Sequence, residues 1–221
     1  MRLSQKIAGI LAGAALVAGT AVAVAPTASA TAAPTTGGQR IVQALLPGYQ
    51  PNGDGNPYDF DIVTTAIIAT GLLPTLQSLD NITVFAPNDR AFEVLAVKTG
   101  ALPKTHRFGA TVNETEIVNA LVTKLGVDTI KKVVLYHVFT GGALAGADVV
   151  KLPLFGTKIT MADGQKLGIT NLTRIFGAPT IILGDKDGNP FNDYVVRSKV
   201  NVVKVQGGVV HGISDVLMPT L

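Results

Sequence analysis

The 221-residue chain contains no cysteine and no tryptophan. The first absence excludes a disulfide framework, a thiolate zinc site and a thiol nucleophile. The fold must therefore hold by burial alone, and a chain of this length has enough residues to build such a core. Histidine is scarce too, with three residues, His106, His137 and His211. No H-E-x-x-H, G-x-S-x-G or glycine-rich phosphate loop is present, which removes the enzyme classes those motifs carry. His211, Ser214 and Asp215 crowd together in sequence, but a catalytic triad needs roles in space that crowding does not supply. Charge of one sign is also missing. The formal charge is +3, with 18 basic and 15 acidic residues, and Arg2 and Lys6 account for two of the basic ones. No basic run appears, so nucleic acid is not an expected partner. The sequence predicts a non-enzymatic protein with no cofactor.

What is present begins with an address. Arg2 and Lys6 precede an apolar, Ala- and Gly-rich run from Ile7 to Val24, and Ala28-Ser29-Ala30 supplies a small-x-small cleavage site. This predicts a cleaved signal peptide over 1–30, a mature start at Thr31, and a secreted product with no stable membrane anchor. Thr31 to Gly38 is small and polar and reads as a flexible leader, which places the domain at 39–221.

Along the domain, helices are expected over Gln39 to Leu46, from Asp59 to a Gly71 cap, and over Leu72 to Leu79. In T-V-F-A-P-N-D-R-A-F, Thr83 to Phe92, the Ile82, Val84 and Ala86 alternation reads as a strand. Pro87 ends it, Asn88 is a helix N-cap, and Asp89 places negative charge at the helix start. Glu116 to Leu125 predicts another helix closed by Gly126, followed by a short helix capped by Asp128. V-V-L-Y-H-V-F, Val133 to Phe139, reads as strand-like. Beyond it the period turns to two. Lys158 to Met161 and Gln165 to Ile169 flank Ala162-Asp163-Gly164 as a hairpin. Pro179 to Leu183 and Tyr194 to Val205 flank a turn-rich loop. Helices first and strands second argue an α+β fold.

Three ordered motifs now carry a resemblance. T-V-F-A-P-N-D-R-A-F resembles the first motif of fasciclin (FAS1) domains, and G-G-V-V-H-G-I-S-D-V-L-M-P, Gly207 to Pro219, resembles the second. V-V-L-Y-H-V-F-T-G-G between them resembles the family's Tyr-His motif. The resemblance implies a helical layer packed on a β-wedge of two sheets, with the outer motifs meeting as central strands. It also implies an exported adhesion module whose partner is an extracellular protein or a polysaccharide. Carried over residue by residue, it nominates Tyr136, His137 and Asp215 for binding. The residues themselves allow two readings of Tyr136-His137. One is an exposed aromatic–imidazole pair suited to recognition; the other is a core ring and its structural neighbour, favoured by apolar flanks. A small-ligand or enzymatic variant of the fold, with an internal pocket near these rings, is the alternative function.

One pattern lies outside the resemblance. D-G-N-P-Y, Asp54 to Tyr58, recurs as D-G-N-P-F, Asp187 to Phe191. Asp185, Asp187, Asn189 and Asp193 could offer oxygens to Ca²⁺, although Asp-Gly and Asn-Pro are also plain turn chemistry. The two loops are expected to lie near each other and form one edge.

Overall fold

The computed structural model describes residues 33–50, 54–108, 113–188 and 193–221. The expected signal peptide lies outside the described residues. No helix among those described is long and apolar enough to cross a membrane.

The first helix, α1 (Gly37–Leu45), is closed at its start by a capping box in which Thr36 accepts from the Gln39 amide and Gln39 reaches back. The expected flexible leader is thus corrected, because helix begins two residues before its end. The small residues have a packing reason rather than a linker one. A Cβ on Gly37 would collide with the Gly207 carbonyl, and one on Gly38 with the Leu76 carbonyl. α2 (Asp61–Ala69) ends at Thr70, and Gly71 follows at φ +70°, the left-handed turn glycine tolerates. α3 (Leu73–Ser78) leads to strand β1 (Ile82–Pro87) and then directly to α4 (Asp89–Lys98). Asn88 caps α4 by accepting from the Ala91 amide at 2.9 Å.

α5 (Glu114–Leu125) and α6 (Val127–Tyr136) share Gly126, at φ +86°, as the joint between them. Asp128 therefore sits in the first turn of α6 and is not its cap. The strand expected over Val133 to Phe139 is also corrected. Helix continues through Tyr136, His137 is the C-cap, and only Val138–Phe139 forms a strand, β2. Ile130, Val133 and Val134 fall on one helical face and are buried in the core beneath the helices. That burial overrides the β propensity of the valines.

The second half holds α7 (Gly146–Val149), the hairpin β3 (Thr157–Thr160) and β4 (Lys166–Asn171), and α8 (Thr173–Phe176). Then come β5 (Ile181–Gly184), β6 (Asp193–Tyr194), β7 (Val203–Val205) and β8 (Gly208–Ile213). The strand expected over Tyr194 to Val205 is broken by a 3-10 turn at Arg197–Lys199. One sheet runs β2-β1-β8-β7 and the other β3-β4-β5-β6. β1 and β8 pair in parallel from Ile82↔Gly208 to Pro87↔Ile213, so the two outer motifs meet at the centre. Single bridges, Phe139↔Met161 and Val195↔Ile213, tie the sheets together. The fold is α+β, a helical layer on a wedge of two sheets, with Pro34–Leu221 as one compact unit.

Two apolar cores result. Ile62, Phe92, Ile117, Leu121 and Val210 fill the space under the helices. Phe85, Tyr136, Leu167, Leu183, Ile213 and Leu217 fill the wedge. Each fully buried side chain of this size contributes roughly 1.5–3 kcal/mol.

Candidate functional site

The turn from α6 into β2 carries Tyr136 and His137 inward. Tyr136 is 0% exposed and His137 3%, so of the two readings the structure takes the core ring and its structural neighbour, and an exposed recognition pair at these residues is corrected. Tyr136 donates its hydroxyl to the Lys166 carbonyl at 3.1 Å, and burial pushes its pKa up. The His137 ring spans two motifs. The Leu217 amide donates to its Nε2 at 2.9 Å, so Nδ1 carries the proton and donates to the Val133 carbonyl at 2.7 Å. Burial lowers the His137 pKa to about 4, against the opposing pull of the Val133 carbonyl. A proton on Nε2 would face an amide that has nowhere else to donate.

His211 on β8 repeats the arrangement. The Asn201 amide donates to Nδ1 at 3.1 Å, and Nε2 lies 2.8 Å from the Leu144 carbonyl, to which it donates. Burial again lowers its pKa. With both nitrogens committed to backbone, His211 is not available to Ser214 or Asp215, and Ser214 accepts from the Tyr194 amide at 3.1 Å. Asp215 stands nearer the surface, with Oδ2 3.3 Å from Lys98 Nζ and Oδ1 accepting from the Val216 amide.

Of the calcium candidates, Asp185, Asp187 and Asp193 do come together, each offering an oxygen within 4.8 Å of the others. Asn189 lies outside the described residues. Asp185 accepts from the Met218 amide at 2.6 Å and the Asp187 amide at 3.1 Å. Asp193 is fully buried, and neither of its oxygens has a partner among the described residues. Burial first, then Asp185 and Asp215, push its pKa up to about 8, with Lys98 opposing.

A second acid cluster was not foreseen. Asp61, Asp89 and Glu114 are the first residues of α2, α4 and α5. They converge with Asp54 and Asp59 from the first D-G-N-P loop. Asp89, expected at the start of α4, stands there, but it is buried and accepts from the Ile62 amide at 2.9 Å, joining two helix starts. Burial and then the Asp59 carboxyl push its pKa to about 10, and burial raises Glu114 to about 7. The sequence signal was three helices that each open on an acid; only packing shows that they open at one point.

Among the described residues the acids of the two loops enter separate clusters. The first gathers around Asp89, where α4 begins; the second lies beside Lys98, where α4 ends. A helix of 10 residues separates those ends by roughly 15 Å.

Comparison with known proteins decides the family. The fasciclin domain model matches residues 58–219. The chain belongs to the fasciclin family. A solved structure of a FAS1 domain pair from the insect cell adhesion molecule fasciclin I is also similar. It shares 15% identity over 70% of this chain, with a TM-score of 0.47. The matched region is 43% of that structure, so this chain spans less than half of it. No curated protein matches in sequence.

The surface of this fasciclin domain carries two adjoining clefts. One, of about 570 Å³, is lined by Pro179, Thr180, Ile182, Tyr194 and Arg197 among others. The next, of about 380 Å³, is lined by Tyr58, Phe60, Asn88 and Lys199. Val196 and Ser198 border both. Tyr194 is 49% exposed and Tyr58 62%. Two further pockets have much less room, about 50 Å³ under α1 and about 10 Å³ beside His211.

Proposed function

We propose that this fasciclin domain is an exported interaction module that binds a cell-surface, extracellular-matrix or cell-wall component, either protein or polysaccharide. The contact patch is the pair of clefts between Tyr194 and Tyr58. The supporting observation is their composition: two exposed tyrosines, with Arg197, Lys199 and Ser198 between them. Tyrosine brings a large flat area and a polar tip at low entropic cost, and a flanking cation adds direction. The alternative, an internal pocket for a small ligand, has less support. A pocket for such a ligand measures roughly 300 Å³ or more, well above the space beside His211.

In this reading Tyr136 and His137 position the patch and do not touch the partner. His137 holds the segment after β8 through the Leu217 amide, and β8 supplies Gly212 and Ile213 to the second cleft. Asp215 stays paired with Lys98 outside the clefts.

The test is a binding screen of the purified protein on immobilised matrix proteins and cell-wall polysaccharides. The comparison is a Tyr58→Ala/Tyr194→Ala variant. Saturable binding to one class, weakened about 10-fold or more in the variant with an unchanged melting temperature, is the expected result. Equal binding by both proteins, or none by either, overturns the reading.

A further inference from the structure

The acid cluster at the three helix starts has no part in the binding patch, and its charge is unbalanced. Helix N-termini offset some of it, at about +0.5 each. Full ionisation of all five carboxyls against three such ends would leave a residual of roughly −3.5, and burial with mutual repulsion instead holds Asp89 and Glu114 toward their protonated forms until a cation takes the proton's place. No lysine, arginine or histidine among the described residues forms an ion pair with any of the five. Arg90, next to Asp89 in sequence, lies over the Phe108 ring and near Glu93. Asp59 Oδ1, Asp89 Oδ2 and Glu114 Oε2 are all buried, and no donor reaches them among the described residues. Asp89 and Glu114 are themselves buried residues, so these oxygens cannot turn to water. They face the carboxyls of the cluster.

We propose that Asp54, Asp59 and Glu114, backed by Asp89, form a site for a divalent cation, with Ca²⁺ the best fit. An all-oxygen, all-carboxylate donor set selects a hard cation over zinc or copper. Ca²⁺ binds oxygens at about 2.3–2.6 Å, so two ligands on opposite sides lie about 5 Å apart. The oxygens of Asp54, Asp59 and Glu114 fall within 4.8 Å of one another, which suits one shared ion. Two ligands come from an irregular Gly-containing loop and one from a helix start. That irregular set suits the adaptable coordination of Ca²⁺ better than the near-ideal octahedron Mg²⁺ demands. The second acid cluster differs because two amides already occupy Asp185, one on each oxygen, and a lysine, Lys98, stands close enough to oppose the rise at Asp193.

Thermal melting in Ca²⁺ and in EDTA tests the site directly. Terbium luminescence, excited through tyrosine, is the second readout. Tyr58 lies in the same loop, and there is no tryptophan to compete. Ca²⁺ is expected to raise the melting temperature by several degrees. Asp54→Asn, an exposed change that spares the fold, weakens Ca²⁺ binding about 10-fold or more. Asp59→Asn/Glu114→Gln abolishes the terbium signal, while Asp185→Asn leaves both readouts intact. Identical melting in EDTA and in about 5 mM Ca²⁺, well above the weakest extracellular sites, overturns the proposal. So does a Ca²⁺ response kept by Asp54→Asn and lost by Asp185→Asn, which places the ion at the other loop.

Discussion

Around His137 and His211, every ring nitrogen has a backbone partner. Around Asp59, Asp89 and Glu114, buried oxygens face one another with no donor among the described residues. Both places are buried, and in both burial is the first cause of displaced protonation. Burial alone therefore does not separate a structural centre from a candidate site. The separating feature is whether the polar atoms are satisfied. The imidazoles are finished by the chain itself, and nothing further is needed to keep them in place. The carboxyls are left open to a proton or an ion.

The largest break in that contrast comes from His137→Ala. It strands the Leu217 amide and the Val133 carbonyl and opens a cavity, so urea unfolding should show a loss of about 3–4 kcal/mol. Acid should undo part of the same bond network without mutation. The His137 pKa falls to about 4 in the folded state, below its ordinary value near 6.5. Unfolded chains then bind this proton first as pH falls. The stabilisation is whole above about pH 6.5 and is lost by about pH 4, for a total of about 3 kcal/mol. The stability gap between the wild type and His137→Ala should narrow across that window, and His211 acts in the same direction.

Asp193 runs the opposite way. Its folded pKa is raised to about 8, so its favourable contribution is whole below the unfolded value and is lost as pH rises toward 8. Asp193→Asn should melt at the wild-type temperature near pH 4 and be about 2 kcal/mol more stable near pH 7.5. Equal melting at both pH values would show that Asp193 finds a partner the present geometry lacks. Tyr136→Phe sharpens the contrast with the smallest effect. It removes one hydroxyl bond to the Lys166 carbonyl and keeps the ring, so calorimetry should record a loss of about 1 kcal/mol.

Much of this architecture was legible because local chemistry and tertiary packing agree there. Pro87 and Asn88 set the strand-to-helix corner by backbone rules alone, and the structure keeps both roles. Gly71, Gly126 and Gly164 stand where their left-handed φ is used. The misread segments are those where distant contacts decide. Val133 and Val134 have strand propensity, yet α2 and α5 offer them a helical seat. Gly37 and Gly38 look like a linker until the Gly207 and Leu76 carbonyls, respectively, are brought against them. The site was less legible still. Two D-G-N-P loops share a peptide, yet their acids join different clusters, because a local repeat carries no information about which acids pack beside it. The cluster at Asp59, Asp89 and Glu114 joins residues up to 55 positions apart, and no spacing rule connects them.

The parallel pairing of β1 with β8 also sets an order in time. β1 leaves the ribosome more than a hundred residues before its central partner exists. Until Gly208–Ile213 is made, β1 lacks that neighbour, α1 has no Gly207 to pack on, and His137 has no Leu217 amide to accept from. The core is completed only once the second motif has been made, so β1 stays without its central partner while more than a hundred intervening residues are added. Such a chain remains threadable until β8 arrives to complete the central pair.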